Sequence, residues 1–218
     1  MTLRTWILAL CFCLLIGGRP ALAQGPSLRT VGIARKGDKM VVSVGLQDLF
    51  RPADLERLLS GFSTRVLVRV VVLRDGDREP VAQAMRLAEA VYDLWDERLR
   101  VRISTDRAGQ AETQVVATPK AAVELAAVLA AFPVVAMERL QPGMSYHLAI
   151  RADLNPISEE LVTNVRRWLS RPSRSRSGSG DSFFGSFVSV FVNPRIDDSE
   201  RQLQVVSQAF LPPEGPAP

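Results

Sequence analysis

The chain has 218 residues, 47% of them hydrophobic and 23% charged, with a formal net charge of +4. A chain of this size buries about 70% of its unfolded surface, so one core suffices without disulfide or metal staples, and one domain is the default. One histidine and two cysteines argue against zinc centres, and so small a positive charge is a weak footprint for nucleic acid.

The first residues read as an export signal. Arg4 supplies a positive start, Trp6 to Ile16 is an unbroken apolar run, and Gly17, Gly18 and Pro20 break any helix before Ala21-Leu22-Ala23, a small-x-small cleavage site. The run is 11 residues long, short of the roughly 20 that span a bilayer. A cleaved signal over residues 1–23 is therefore expected in preference to a retained anchor. Cys11 and Cys13 follow Leu10 and Phe12, not the small residues of a lipid-attachment site, and leave with the signal. From Gln24 the chain then has 195 residues, no cysteine and a formal charge of +2, as Arg4 and Arg19 are removed. This fits a periplasmic or secreted protein.

Residues 28–46 predict a hairpin around the turn Lys36-Gly37-Asp38-Lys39. Pro52 to Gly61 predicts a short helix, with Pro early, acids in its first turns and Gly at its end. Residues 64–73 are the clearest strand, with Val66, Val68, Val70 and Val72 on one face. On the other face Arg65 and Arg69 are expected to be solvated, as is usual for an antiparallel sheet. Two readings stand for Val81 to Trp95. Alanine content and the stripe Ala84, Leu87, Ala88, Val91, Leu94 favour a helix. The Asp75-Gly76-Asp77 turn before it favours a strand returning along residues 64–73.

Arg98 to Ile103 predicts a strand, Asp106 to Gln110 a loop, and Thr113 to Ala117 a further short strand. A helix capped by Thr118, with Pro119 at its first position, is expected to run to about Ala131 and end at Phe132-Pro133. Residues 145–152 predict a strand, and Asn155-Pro156 opens a helix through Leu169. Residues 171–182 read as a mobile Arg/Ser/Gly loop, Phe183 to Phe191 as a short helix, 202–210 as a last strand and 211–218 as a disordered tail. The sum is an α+β chain, an antiparallel sheet or β-sandwich with three to four short covering helices, in one domain over residues 24–210.

Common catalytic designs lack their parts. His147 is the only histidine, and no nucleophile elbow accompanies it. No Gly-rich phosphate loop follows a strand. The carboxylate pairs Asp75/Asp77, Glu159/Glu160 and Asp197/Asp198 read as turn, helix start and loop. Asp96/Glu97 stand beside Tyr92 and Trp95, so Tyr92, Trp95, Asp96, Glu97 and Arg98 form the candidate binding patch. The pattern has two readings: a carbohydrate or acid/base cleft, or a sheet corner with Trp95 packed and its neighbours in water. The corner is favoured. Arg166, Arg167, Arg171, Arg174 and Arg176 form a candidate anionic-surface contact, worth about 1 kcal/mol per charge near anionic lipid, against a plainer reading as a solvated helix end and loop. No cofactor and no metal are implied.

Leu58-Leu59-Ser60-Gly61 before the Val-rich strand, Val81-Ala82, Val91-Tyr92-Asp93-Leu94-Trp95, Leu99-Arg100-Val101 and Gly143-Met144-Ser145-Tyr146 follow one another in an order that resembles a proteobacterial envelope family, domain-of-unknown-function family 4390. The resemblance implies an exported or membrane-anchored protein, a strand at the Tyr92 segment and no established catalytic residues. It also implies gene neighbours among membrane sensor kinases. Residues 181–210 depart from the commoner family pattern. The leading expectation is a non-catalytic periplasmic envelope accessory or binding module with a protein partner, and the resemblance points toward envelope signalling as its setting. The alternatives are a glycan-active enzyme using Asp96/Glu97, or a peripheral anionic-lipid binder.

Overall fold

The computed structural model describes residues 26–77, 79–105, 111–156 and 199–214. The expected signal, the helix after Pro156, the mobile loop, the Phe-rich helix and the arginine cluster at Arg166–Arg176 lie outside the described residues.

Ten strands are described: β1 (Ser27–Arg29), β2 (Gly32–Lys36), β3 (Lys39–Gly45), β4 (Thr64–Arg74), β5 (Pro80–Asp93), β6 (Arg98–Thr105), β7 (Glu112–Val116), β8 (Val128–Ala136), β9 (Tyr146–Pro156) and β10 (Ser199–Ser207). Helices α1 (Pro52–Arg57) and α2 (Pro119–Ala127) join them, with 3-10 turns at Gln47–Leu49 and Met137–Arg139. One seven-stranded sheet has the order β1-β10-β9-β4-β5-β6-β7, and a three-stranded sheet the order β2-β3-β8. All pairings are antiparallel except β1 with β10. The expectation of three to four covering helices needs correction: among the described residues there are two, and the chain is mostly sheet.

One hydrophobic core joins both sheets. Val66, Val68, Val70 and Val72 of β4 meet Leu148, Ile150 and Leu154 of β9, Leu99 and Val101 of β6, and Met40, Val42 and Val44 of β3. Side chains alternate along a strand, so this is the inner face that period-two patterning predicts.

Of the two readings for residues 81–95, the strand, favoured by the preceding turn and implied by the family resemblance, is the one found, as β5. Along β5 the apparent helical stripe splits. Ala82, Ala84, Ala88 and Ala90 belong to the core, whereas Met85 and Leu87 are buried outside that cluster. Alanine favours helix locally, but cross-strand packing overrides so weak a preference. Arg86 interrupts the alanines on the inner face of β5. Its guanidinium donates to Val128 O at 2.9 Å and to Leu125 O, the carbonyls at the end of α2, where a cation is favoured.

Helix α2 starts as expected, with Thr118 Oγ1 accepting from Ala121 N at 3.2 Å. It ends earlier than expected. Val128 onward leaves the helix and pairs as β8 with β3, Gly45 facing Val128 and Val44 facing Leu129. Pro133 is tolerated because β8 is an edge strand. Asn155 and Pro156 are the last two residues of β9, with Asn155 at φ 46°. Leu211–Glu214 adopt neither helix nor strand, and Phe210 bridges back to Tyr146.

Arg69 corrects another expectation. It is fully buried. It lies opposite Arg151 across β4 and β9, and Asp153, also buried, binds both: Oδ2 accepts from Arg69 Nη2, and Oδ1 from Arg151 Nε at 2.9 Å. Burial pulls the Arg69 guanidinium down from its usual range, and Asp153 opposes that. Arg65 behaves as expected, half-exposed and paired with Glu89 across the strands at 2.9 Å.

A second network fastens α1 to the sheet. Buried Asp54 accepts from Arg51 N at 2.7 Å, from Arg57 Nη2 at 3.1 Å and from Arg201 Nη1, which also donates to Leu49 O at 2.8 Å. Arg57 reaches Glu200 at 2.9 Å, and Asn155 donates to Glu200 and accepts from Arg65 N, both at 2.9 Å. Burial raises the Asp54 carboxyl, but these donors outweigh it and hold the group below its usual range.

Substitution tests both networks. Asp153→Ala removes the buried carboxylate that Arg69 and Arg151 share and costs about 3–5 kcal/mol in urea unfolding. The double change Arg69→Met with Asp153→Leu costs less than Asp153→Ala alone. Asp54→Asn costs about 1.5–3 kcal/mol at pH 7. Because the Asp54 carboxyl is depressed on folding, its contribution is full above the ordinary carboxylate pKa, about 3.9, and fades as pH falls through the folded value. The stability gap between wild type and Asp54→Asn therefore narrows on acidification below about pH 4.

Candidate functional site

The corner between β5 and β6 is a four-residue turn, Leu94 to Glu97, at the tip of the longest strand. Asp93 builds it. Its Oδ1 accepts from Trp95 N at 3.0 Å and Asp96 N at 3.2 Å, the local side-chain-to-backbone pattern that aspartate favours in turns. Arg100 then clamps the turn from β6, with Nη2 on Asp93 Oδ2 at 3.0 Å and on Asp96 Oδ2 at 2.7 Å. The amides of Asp96 and Trp95 lower the Asp93 carboxyl, with the Arg100 guanidinium adding to them. Glu97 closes the turn at φ 50°.

The predicted patch is thus brought together, but it is convex. Trp95 is 96% exposed, contrary to the expectation that it packs. The cause is geometric: the turn projects past the sheet, and Tyr92, two residues before Leu94, is the aromatic that packs on the core. Asp96 and Glu97 point into solvent, with Asp96 held by Arg100. Arg98 lies on the outer face of β6 and is exposed.

Sequence reasoning missed the neighbours that enlarge the patch. Gly61 sits beside Leu94, whose Cδ1 would be 3.5 Å from a Cβ placed there, so the loop after α1 lies against the turn. That loop contributes Phe62 and Leu59, 76% and 42% exposed, beside Leu94 at 65%. Two loops distant in sequence thus place four large apolar side chains at one end of the sheet. Gly61, at φ 82°, was visible as a helix terminator, but its proximity to Leu94 depends on pairing between β4 and β5. Asp93, three residues before Asp96, is the signal that would have identified the turn-builder.

His147 is not an isolated sheet residue. Its Nδ1 lies 2.9 Å from Asp75 Oδ1, and Ser145 Oγ donates to Asp75 Oδ2. Aspartate stands between serine and histidine, so histidine does not hold the serine proton as a nucleophilic triad requires. Those hydrogen bonds, Ser145 foremost, lower the Asp75 carboxyl, and Asp75 N donates to Ser145 O at 3.0 Å. The cluster ties the β4–β5 turn to the start of β9. Among the described residues no group of three or more His, Cys, Asp or Glu side chains is placed to hold a metal, and no helix is long and apolar enough to cross a membrane.

These features define a predominantly β protein with a hydrogen-bonded, apolar-tipped corner. The chain belongs to the family described as Domain of unknown function (DUF4390), whose model matches residues 23–158. The match ends just past β9, so β10, which joins β9 to β1, lies beyond it. No curated protein and no solved structure matches the chain.

Removing the Asp93 carboxylate in Asp93→Ala frees the Trp95 and Asp96 amides. Hydrogen exchange at these two amides accelerates, while exchange in β4 and β9 is unchanged.

Proposed function

We propose that the chain is a non-catalytic binding module of the cell envelope, with a protein partner that docks on the β5–β6 corner. The carrying observation is Trp95, almost wholly exposed on a turn held by Asp93 and Arg100. Tryptophan and arginine are the residues most enriched at energetic centres of interfaces. A turn already fixed in its bound shape loses little conformational freedom on association. Exposed apolar groups clustered on a surface mark interaction sites, and exposed Phe62, Leu94 and Leu59 lie on the same two loops as Trp95 and Gly61. The module has a sandwich-like core, and its N-terminal apolar run directs export to the periplasm. Its place near membrane sensor kinases, as the family resemblance implies, makes an envelope-signalling role the natural setting.

Trp95→Ala tests the reading. A surface substitution of this kind shifts stability by no more than about 0.5 kcal/mol. Loss of a hot-spot tryptophan weakens association by about 2 kcal/mol or more, roughly 30-fold. Crosslinking in cells at native expression should recover a specific envelope protein with wild type and lose it with Trp95→Ala. Equal recovery with both, or recovery of nothing by wild type, refutes the proposal.

A further inference from the structure

A second surface, independent of the corner, carries its own inference. Among the described residues the sheets have four edges: β1 and β7 on the large sheet, β2 and β8 on the small one. Exposed edges invite pairing with other chains, and proteins blunt them with brevity, cations, proline or bulges. Three of the four are blunted. β1 has three residues. β2 begins with Gly32 and ends with Arg35-Lys36. β8 contains Pro133, has Ala131 at φ 48° and pairs with β3 through two register shifts.

β7, five residues long, has no proline, cation or bulge. Glu112-Thr113-Gln114-Val115-Val116 lacks proline, glycine and cations, and it pairs with β6 in unbroken register from Ile103↔Glu112 to Leu99↔Val116. Val115 is 56% exposed. No backbone hydrogen bond from another described element reaches β7 on its outer side. Beside that edge lies an open groove of about 430 Å³. Its strand wall is Gln114 and Val116, and its helix wall is Lys120, Ala121, Glu124 and Leu125 of α2.

We propose that β7 accepts an extended segment of a partner protein as an eighth strand, with an apolar side chain at alternate positions entering the groove. In this mode main-chain hydrogen bonds supply affinity and the groove supplies selection, because every second side chain of the added strand faces the same way. Val116, Ala121 and Leu125 give the groove its apolar floor. Lys120 and Glu124, of opposite sign, leave the flanking positions without a charge preference. A second copy fits less well. Five residues span about 17 Å, too short an edge for the roughly 800 Å² per partner of a stable interface.

The test pans a phage-displayed random octapeptide library against the full chain and follows backbone hydrogen exchange with a selected peptide bound. Enriched peptides are expected to carry apolar residues at alternate positions and to slow exchange in Glu112–Val116 at least tenfold. Ala121→Arg fills the groove without touching the strand and should weaken binding at least tenfold with an unchanged melting temperature. Thr113→Pro should weaken it through the main chain, and Trp95→Ala should leave it unchanged. The proposal is overturned by an unenriched library, by protection of β1, β2 or β8 instead of β7, by full binding to Ala121→Arg, or by dimerisation through β7 without peptide. Failure here leaves the corner reading standing, since the two surfaces respond to different substitutions.

Discussion

The stripe of alanines on β5 is the constraint on which the rest depends. Ala82, Ala84, Ala88 and Ala90 sit on the inner face of the large sheet, and their small volume lets α2 and β8 approach it closely. Interiors pack at near-crystalline density, so a larger residue at these positions would push the small sheet outward. Arg86 interrupts the stripe where the end of α2 offers carbonyls to a cation. The helix and small sheet are positioned by what β5 lacks as much as by what it presents.

The same stripe explains where sequence reading succeeded and failed. Val66, Val68, Val70 and Val72 announce a strand because β-branched residues at period two have few alternative explanations. Residues 81–95 do not, because alanine is the best helix former and the reason for four alanines is a neighbour remote in sequence. The end of α2 was misplaced for a related reason: β3 recruits Val128–Ala136, and nothing local to Ala127 announces it. Arg69 reads as a solvated residue until Asp153 is known to lie on the neighbouring strand. The β-rich character, the hairpin before Gly45 and the strands at β4, β6 and β9 were legible, whereas burial of charge was not.

The candidate corner was legible as composition and not as shape. Tyr92, Trp95, Asp96, Glu97 and Arg98 were singled out together, and the turn they share is present. Which aromatic faces inward depends on strand parity, and parity places Tyr92 against the core and leaves Trp95 outside. Asp93 went unnoticed although it organises the turn. Phe62 and Leu59 went unnoticed because only the pairing of β4 with β5 brings their loop, through Gly61, to Leu94.

The register between β9 and β10 has a further consequence. Pro156 and Ser199 face each other directly, so the strands could be joined by a tight turn, yet 42 residues, 157–198, separate them. Bringing strand ends together across a longer chain costs loop-closure entropy that grows only with the logarithm of length. The difference between a 4-residue and a 42-residue connection is about 2 kcal/mol. Lineages of this fold can therefore lengthen, shorten or replace that connection at modest thermodynamic cost. The pairing of β9 with β10 fixes both strand ends, so the length of chain between them is only a weak thermodynamic constraint.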